Sequence, residues 1–183
     1  ESGSTWLVQR RIRQHAFMDA LNASSLNTLR LVTFRHVNDS VGIDYTLLRI
    51  GRREAQIDGY SAGGLAVRID PKTGLFAGYA SRKAKYSLDI YTFHPDSNLS
   101  FSGLAMPFWE KTVELAQEFA VHAGANRFIG WDIAITPDGP LFVEGNHDWD
   151  VGFAQLDSSG MLTDEFVELM RVETGVQFDV TSL

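Results

Sequence analysis

Arg127-Phe128-Ile129-Gly130-Trp131-Asp132-Ile133-Ala134-Ile135-Thr136, then Pro137-Asp138-Gly139-Pro140, then Leu141-Phe142-Val143-Glu144, reads as two strands joined by a tight turn. The first run alternates, so that Ile133 and Ile135 take the face opposite Asp132 and Ala134. With the turn centred on Asp138-Gly139, Asp132 falls within a residue or two of standing opposite Glu144. Neighbouring strands lie only ~4.8 Å apart, so the oxygens of two such side chains can converge. Asn146 lies two residues beyond Glu144 and shares its face if the strand persists that far. Three oxygen donors, two of them anionic, form a hard-cation site suited to Mg2+, which keeps waters and phosphate oxygens in its other positions. The same spacing also suits an Asp paired with an arginine and a Glu at a solvated strand end.

Outward from this hairpin the chain reads as one mixed α+β domain dominated by antiparallel strands, with helices packed on the sheet. Residues 107–121 (PFWEKTVELAQEFAV) start with a proline in the first turn and repeat apolar residues at helical spacing. Trp109 and Phe108 are expected in the core. Residues 16–22 suit one or two helical turns, and residues 161–173 suit a second amphipathic helix with its acids on the outer face. Strands are expected over 6–9, 26–37, 45–51, 64–69 and 75–80, with Asp70-Pro71-Lys72-Thr73-Gly74 turning the chain between the last two. Residues 1–5 are small and polar and read as a cut start.

The chain has 183 residues, 44% hydrophobic and 21% charged, which is globular composition with room for a sizeable core. No run approaches the ~18–20 apolar residues of a spanning helix, and no signal segment opens the chain, so a soluble, cytoplasmic protein without membrane insertion is expected. The absence of cysteine excludes disulfides, thiolate metal sites and a cysteine nucleophile. Residues 1–85 carry 13 Lys+Arg against 7 Asp+Glu, net +6, and residues 86–183 carry 3 against 16, net −13. The acidic total, −7, argues against a nucleic-acid binder. The division suits a ligand that is both anionic and metal-bearing, with arginines on phosphate and carboxylates on metal, or it is ordinary solvated charge.

The hairpin segment Ile129-Gly130-Trp131-Asp132-Ile133-Ala134, Pro137-Asp138-Gly139-Pro140, Glu144-Gly145-Asn146 resembles the metal-binding hairpin of ATP-grasp enzymes, in particular the sugar-transfer-associated branch. Ser25 to Arg30, Leu48-Arg49-Ile50-Gly51, Asp58 through Gly63-Gly64 and His94-Pro95-Asp96 resemble that branch in the same order, so the likeness covers about residues 6–156. The resemblance implies that the chain is the carboxyl-terminal part of an ATP-grasp fold, with residues 157–183 a terminal helical extension. It also implies that an earlier, lysine-bearing half of the cleft lies outside the chain, without which the fragment would be inactive.

By resemblance, Asp132, Glu144 and Asn146 hold two Mg2+ ions against the phosphates of ATP, and Arg30 and Arg49 face the terminal phosphate or an acyl-phosphate intermediate. Fixed guanidinium forks stabilise phosphoryl oxygens as charge redistributes in transfer, although a structural ion pair would use arginines equally well. Gln9 and Arg10 resemble the linker and ribose side of the adenine site, and Gly63 and Gly64 a loop bordering phosphate and acceptor. His94 and His147 are candidates for acid–base work on an acceptor, or hydrogen-bonding surface residues. The implied reaction joins a carboxylate to an amine or other nucleophile, possible sugar-linked acceptors included, in polysaccharide or surface-glycan biosynthesis. An ATP-dependent phosphotransferase and a non-catalytic nucleotide- or glycan-binding module remain open. Asp132→Asn or Glu144→Gln is expected to spare the fold, because removing one of two neighbouring anions relieves repulsion.

Overall fold

The computed structural model describes residues 9–36, 38–53, 60–83, 85–152 and 164–176. Residues 6–8 of the strand expected at 6–9, the 58–59 part of the glycine loop, and residues 1–5, 157–163 and 177–183 lie outside these, and Gln9 is not in a strand. Six strands, β1 (Thr28–Arg35), β2 (Val41–Ile50), β3 (Leu65–Ile69), β4 (Phe76–Ser81), β5 (Phe128–Thr136) and β6 (Gly139–Asn146), form one sheet in the order β4-β3-β2-β1-β5-β6. Every neighbouring pair is antiparallel. Among the described residues three α-helices accompany the sheet: α1 (Ala16–Leu21), α2 (Trp109–His122) and α3 (Asp164–Thr174).

Alternation gives the sheet two unlike faces. Leu29 and Leu31 of β1, Leu48 and Ile50 of β2, Val67 and Ile69 of β3 and Ile133 and Ile135 of β5 point one way and are wholly buried against Met18 and Leu21 of α1 and Ala116 of α2. The other face carries a smaller apolar cluster of Val32, Tyr45, Leu47, Tyr60, Ala66 and Trp149, and beside it the charged residues. The burial of the first face supplies most of the hydrophobic stabilisation, which leaves the second free to spend its positions on polar chemistry.

Several boundaries differ from those read in the sequence. Strand β2 begins at Val41 rather than Tyr45, because Val41, Gly42 and Ile43 pair with the far end of β1 although Gly42 and Asp44 hide the alternation. Pro107 stays outside α2: Phe108 caps the helix from a left-handed backbone conformation (φ 57°), its carbonyl accepts the Thr112 amide and hydroxyl, and its ring is 40% exposed rather than in the core. Trp109 is buried as expected. The last helix is described from Asp164, and its Glu173 side chain anchors it to the sheet through His36 and Arg127.

The β5–β6 hairpin turns on Pro137-Asp138, since Thr136 already faces Gly139. Gly139 and Pro140 therefore belong to β6, and Pro140 is tolerated there because β6 is an edge strand among the described residues. Between Asp132/Ile133 and Phe142/Glu144 the pairing slips by one residue, with Val143 as the extra one. Phe142 faces Ile133 on the core side, and the bulge returns Glu144 to the face of Asp132. An unbroken ladder would have placed Glu144 opposite Trp131, pointing away from the charged row.

Candidate functional site

Register places the charged residues of the second face in one band. Arg30 on β1 is paired with Asp132 on β5, which is paired with Glu144 on β6, and Gly130 is paired with Asn146. Arg49 on β2 stands opposite Thr28, one pleat further along the same face. Arg30 Nε donates to Asp132 Oδ1 at 2.5 Å, while an Nη of Arg49 reaches Asp132 Oδ2 at 3.0 Å. Arg49 is steered into this reach by donating to the Thr28 hydroxyl. The three side chains are only 12–17% exposed, so two guanidiniums and one carboxylate share a largely dry place with one positive charge in excess. The Nη atoms of Arg30 have no hydrogen-bond partner among the described residues, so the surplus charge has open donors to offer an anion.

Glu144 is exposed and has no ion pair among the described residues; Asn146 is half-buried. The described residues contain no group of three or more His, Cys, Asp or Glu able to hold a metal. The donors present are two carboxylates and one amide oxygen, all hard ligands, which fit a magnesium ion that completes its shell with water and phosphate oxygens. Asp132 enters that set with each oxygen already accepting from an arginine, so Glu144 and Asn146 are the uncommitted donors.

Trp149, in the loop after β6, is a residue that the sequence reading passed over. It is 9% exposed and packs on Gly130, where an added Cβ would stand 2.8 Å from the Trp149 Cβ and 3.3 Å from the Arg30 Cδ. Glycine inside a strand is the sequence signal for such close approach. The same loop carries Asp150, 3.9 Å from Lys83 beyond β4, so it crosses the open face from β6 to the opposite edge. Arg68 on β3, opposite Leu47 in the row of Arg30, extends the basic band and lies over the Tyr45 ring at 5.7 Å.

The remaining expected positions flank this band on both sides. Gly63 and Gly64 are buried just before β3, three and two residues ahead of Ala66, which stands opposite Arg49. Gly63 has φ +94° and its carbonyl accepts from Arg82 Nε at 3.0 Å. Gln9 and Arg10 are exposed and line a cavity of about 630 Å3 together with Gln14, Ser24, Ser25 and the bulged Val143, next in the chain to Glu144. His94 is wholly buried: Nε2 lies 3.1 Å from the Gly51 carbonyl, and Nδ1 accepts the amides of Asp96 and Ser97. Burial pushes its pKa down, and both ring nitrogens are engaged in closing the loop onto Gly51. His147 is exposed at the end of β6.

A six-stranded antiparallel sheet with α1 and α2 on one face and an arginine–carboxylate band on the other is the α+β architecture of an ATP-grasp subdomain. The model of the sugar-transfer associated ATP-grasp family matches residues 1–171, and the chain belongs to that family of ATP-dependent, ligase-like enzymes. No curated protein and no solved structure matches the chain.

Proposed function

We propose that this chain supplies the metal- and phosphate-binding face of an Mg·ATP-dependent carboxylate ligase. The observation that carries the reading is the convergence of Arg30 and Arg49 on Asp132 with Glu144 directly across the strand pair. Arg30 and Arg49 bind the terminal phosphoryl oxygens and orient them, while Trp149 and Leu47 limit water beside them. A substrate carboxylate oxygen attacks the terminal phosphorus, the bond to the ADP oxygen breaks, and an acyl phosphate results. An amine then attacks the acyl carbon, inorganic phosphate leaves, and the amine proton passes to solvent. Glu144, Asn146 and Asp132 are the residues that would hold Mg2+, which when bound neutralises charge on the phosphate oxygens. Gln9 and Arg10 would border the base and ribose, and Gly63 and Gly64 the acceptor side. A sugar-linked acceptor in polysaccharide or surface-glycan biosynthesis, at the cytoplasmic supply of ATP, completes the proposal.

One observation favours a second reading, a binding module without turnover: both oxygens of Asp132 are already engaged by arginines. Calorimetric titration of Mg2+ with ADP, or with a non-hydrolysable ATP analogue, into the full native protein and its Glu144→Gln variant tests the site. Metal-dependent nucleotide binding that the variant loses supports it, and binding that the variant keeps removes Glu144 as a ligand. Turnover with carboxylate and amine substrates then separates ligase from binding module.

A further inference from the structure

Beyond β4 the chain meets the sheet edge again at Tyr91, Ala80 and Tyr91 exchanging backbone hydrogen bonds of 2.8 and 2.9 Å; the segment described between them comprises residues 82, 83 and 85–90. Within it the Ser87 hydroxyl donates to the Asp89 carboxylate at 2.6 Å and accepts the Asp89 amide at 2.9 Å. Ser87 is half-buried, and its neighbours Tyr86 and Leu88 are exposed, as is Ile90. Leu88 at 86% and Ile90 at 69% exposure are the two most exposed large apolar side chains among the described residues. Basic groups accompany them: Arg82 and Lys85 lie 5.4 and 4.7 Å from the centre of the Tyr86 ring, and Lys83, 3.9 Å from Asp150, lies between Arg82 and Lys85 in the chain. Two of the four lysines of a chain with net charge −7 thus fall within three residues of each other.

Apolar side chains at alternate positions, a tyrosine ring beside them and cations behind match the layers of a lipid interface. The apolar tips enter the acyl boundary, the ring sits at headgroup level and the cations meet lipid phosphates. Two exposed aliphatic side chains in one short strap suit shallow insertion into the acyl boundary. The acidic remainder of the molecule is repelled by an anionic surface, so contact is confined to and oriented by the strap. No described helix is long and apolar enough to cross a membrane, so the contact is peripheral.

We propose that residues 82–90 seat the protein on an anionic lipid surface. The test is co-sedimentation of the full protein with vesicles of phosphatidylcholine containing about 30% phosphatidylglycerol, against phosphatidylcholine alone. The protein should partition onto the anionic vesicles. Leu88→Ser with Ile90→Ser should lower the partition coefficient roughly tenfold or more, and Leu88→Trp should raise it. Lys83→Gln with Lys85→Gln should lower it and flatten its salt dependence. Val172→Ser, at a 64% exposed apolar position on α3, should leave it unchanged. Absence of binding to anionic vesicles, or equal binding by the Leu88/Ile90 variant, overturns the proposal; a protein partner captured through Leu88 and Ile90 without vesicle binding overturns it as well and reassigns the strap.

Discussion

Asp132 is the shared counter-ion of Arg30 and Arg49, and this changes what its removal does. Repulsion between carboxylates would make Asp132→Asn neutral or stabilising. Here it leaves two nearly buried guanidiniums facing each other with no anion between them. Breaking one side of a fully buried pair costs ~3–5 kcal/mol, and with slight exposure the loss should be about 2–3 kcal/mol. Urea denaturation of Asp132→Asn should show the midpoint falling with unchanged slope; a rise would return the residue to the repulsion account. Glu144→Gln removes an exposed carboxylate that has no ion pair among the described residues, so its melting temperature should match the parent while metal-dependent nucleotide binding disappears. The pair of variants separates a residue that holds the site together from one that only binds.

At the scale of the element, the β5–β6 hairpin depends on two features of unlike visibility. Gly130 admits Trp149, and Gly130→Ala brings a Cβ within 2.8 Å of it, so the indole must move. Overpacking of this kind costs ~1–3 kcal/mol, and the displaced Trp149 should appear as a red-shifted fluorescence emission in the variant. Unchanged emission would mean that the loop gives way elsewhere. The hairpin itself was legible because Ile129, Ile133 and Ile135 alternate with polar or small residues and Pro137-Asp138 marks the turn. The bulge at Val143 was not, since a slip of one residue leaves no mark in composition; only pairing reveals it. Trp149 was missed because no strand or helix pattern surrounds it, and the start of α2 was misplaced because Pro107 ordinarily opens a helix, whereas here Phe108 takes a left-handed conformation. Asp132 and Glu144 could be set opposite each other from the hairpin only to within a residue or two, because alternation carries a side chain's direction along an unbroken strand but not across the bulge, and Arg30 and Arg49 were reached through the family resemblance rather than through the pattern.

For the molecule as a whole, acid should act first at the buried edge where His94 closes the loop on Gly51. Its folded pKa lies below the ordinary 6.5, and the unfolded chain therefore binds more protons as pH falls through that value. The stabilisation is complete above about 6.5 and is lost progressively below it. Asp96 adds a second, lower step: burial opposes its ionisation, but the hydrogen bonds from Arg52 and the Arg53 amide outweigh that and set its pKa below 3.8, so its contribution is present above 3.8 and lost as pH falls further. Melting temperature should be flat near pH 8 and begin to fall below about 6.5; His94→Gln should melt lower at pH 8 and show a shallower fall between pH 6.5 and 5. An identical slope in the variant would remove His94 as its source.

The strand order sets β1, which carries Arg30, in the middle of the sheet and β6, which carries Glu144 and Asn146, at its margin. A central strand exchanges its amide hydrogens only when the whole domain opens, whereas a marginal one frays on its own. The arginines proposed to hold the anion thus sit in the part of the sheet expected to exchange slowly, and the residues proposed to hold the cation in the part expected to exchange fast. Mg2+ with nucleotide should slow deuterium uptake across 139–146 and leave 28–35 as it was, so that ligation appears as the tightening of a selvedge against cloth already woven.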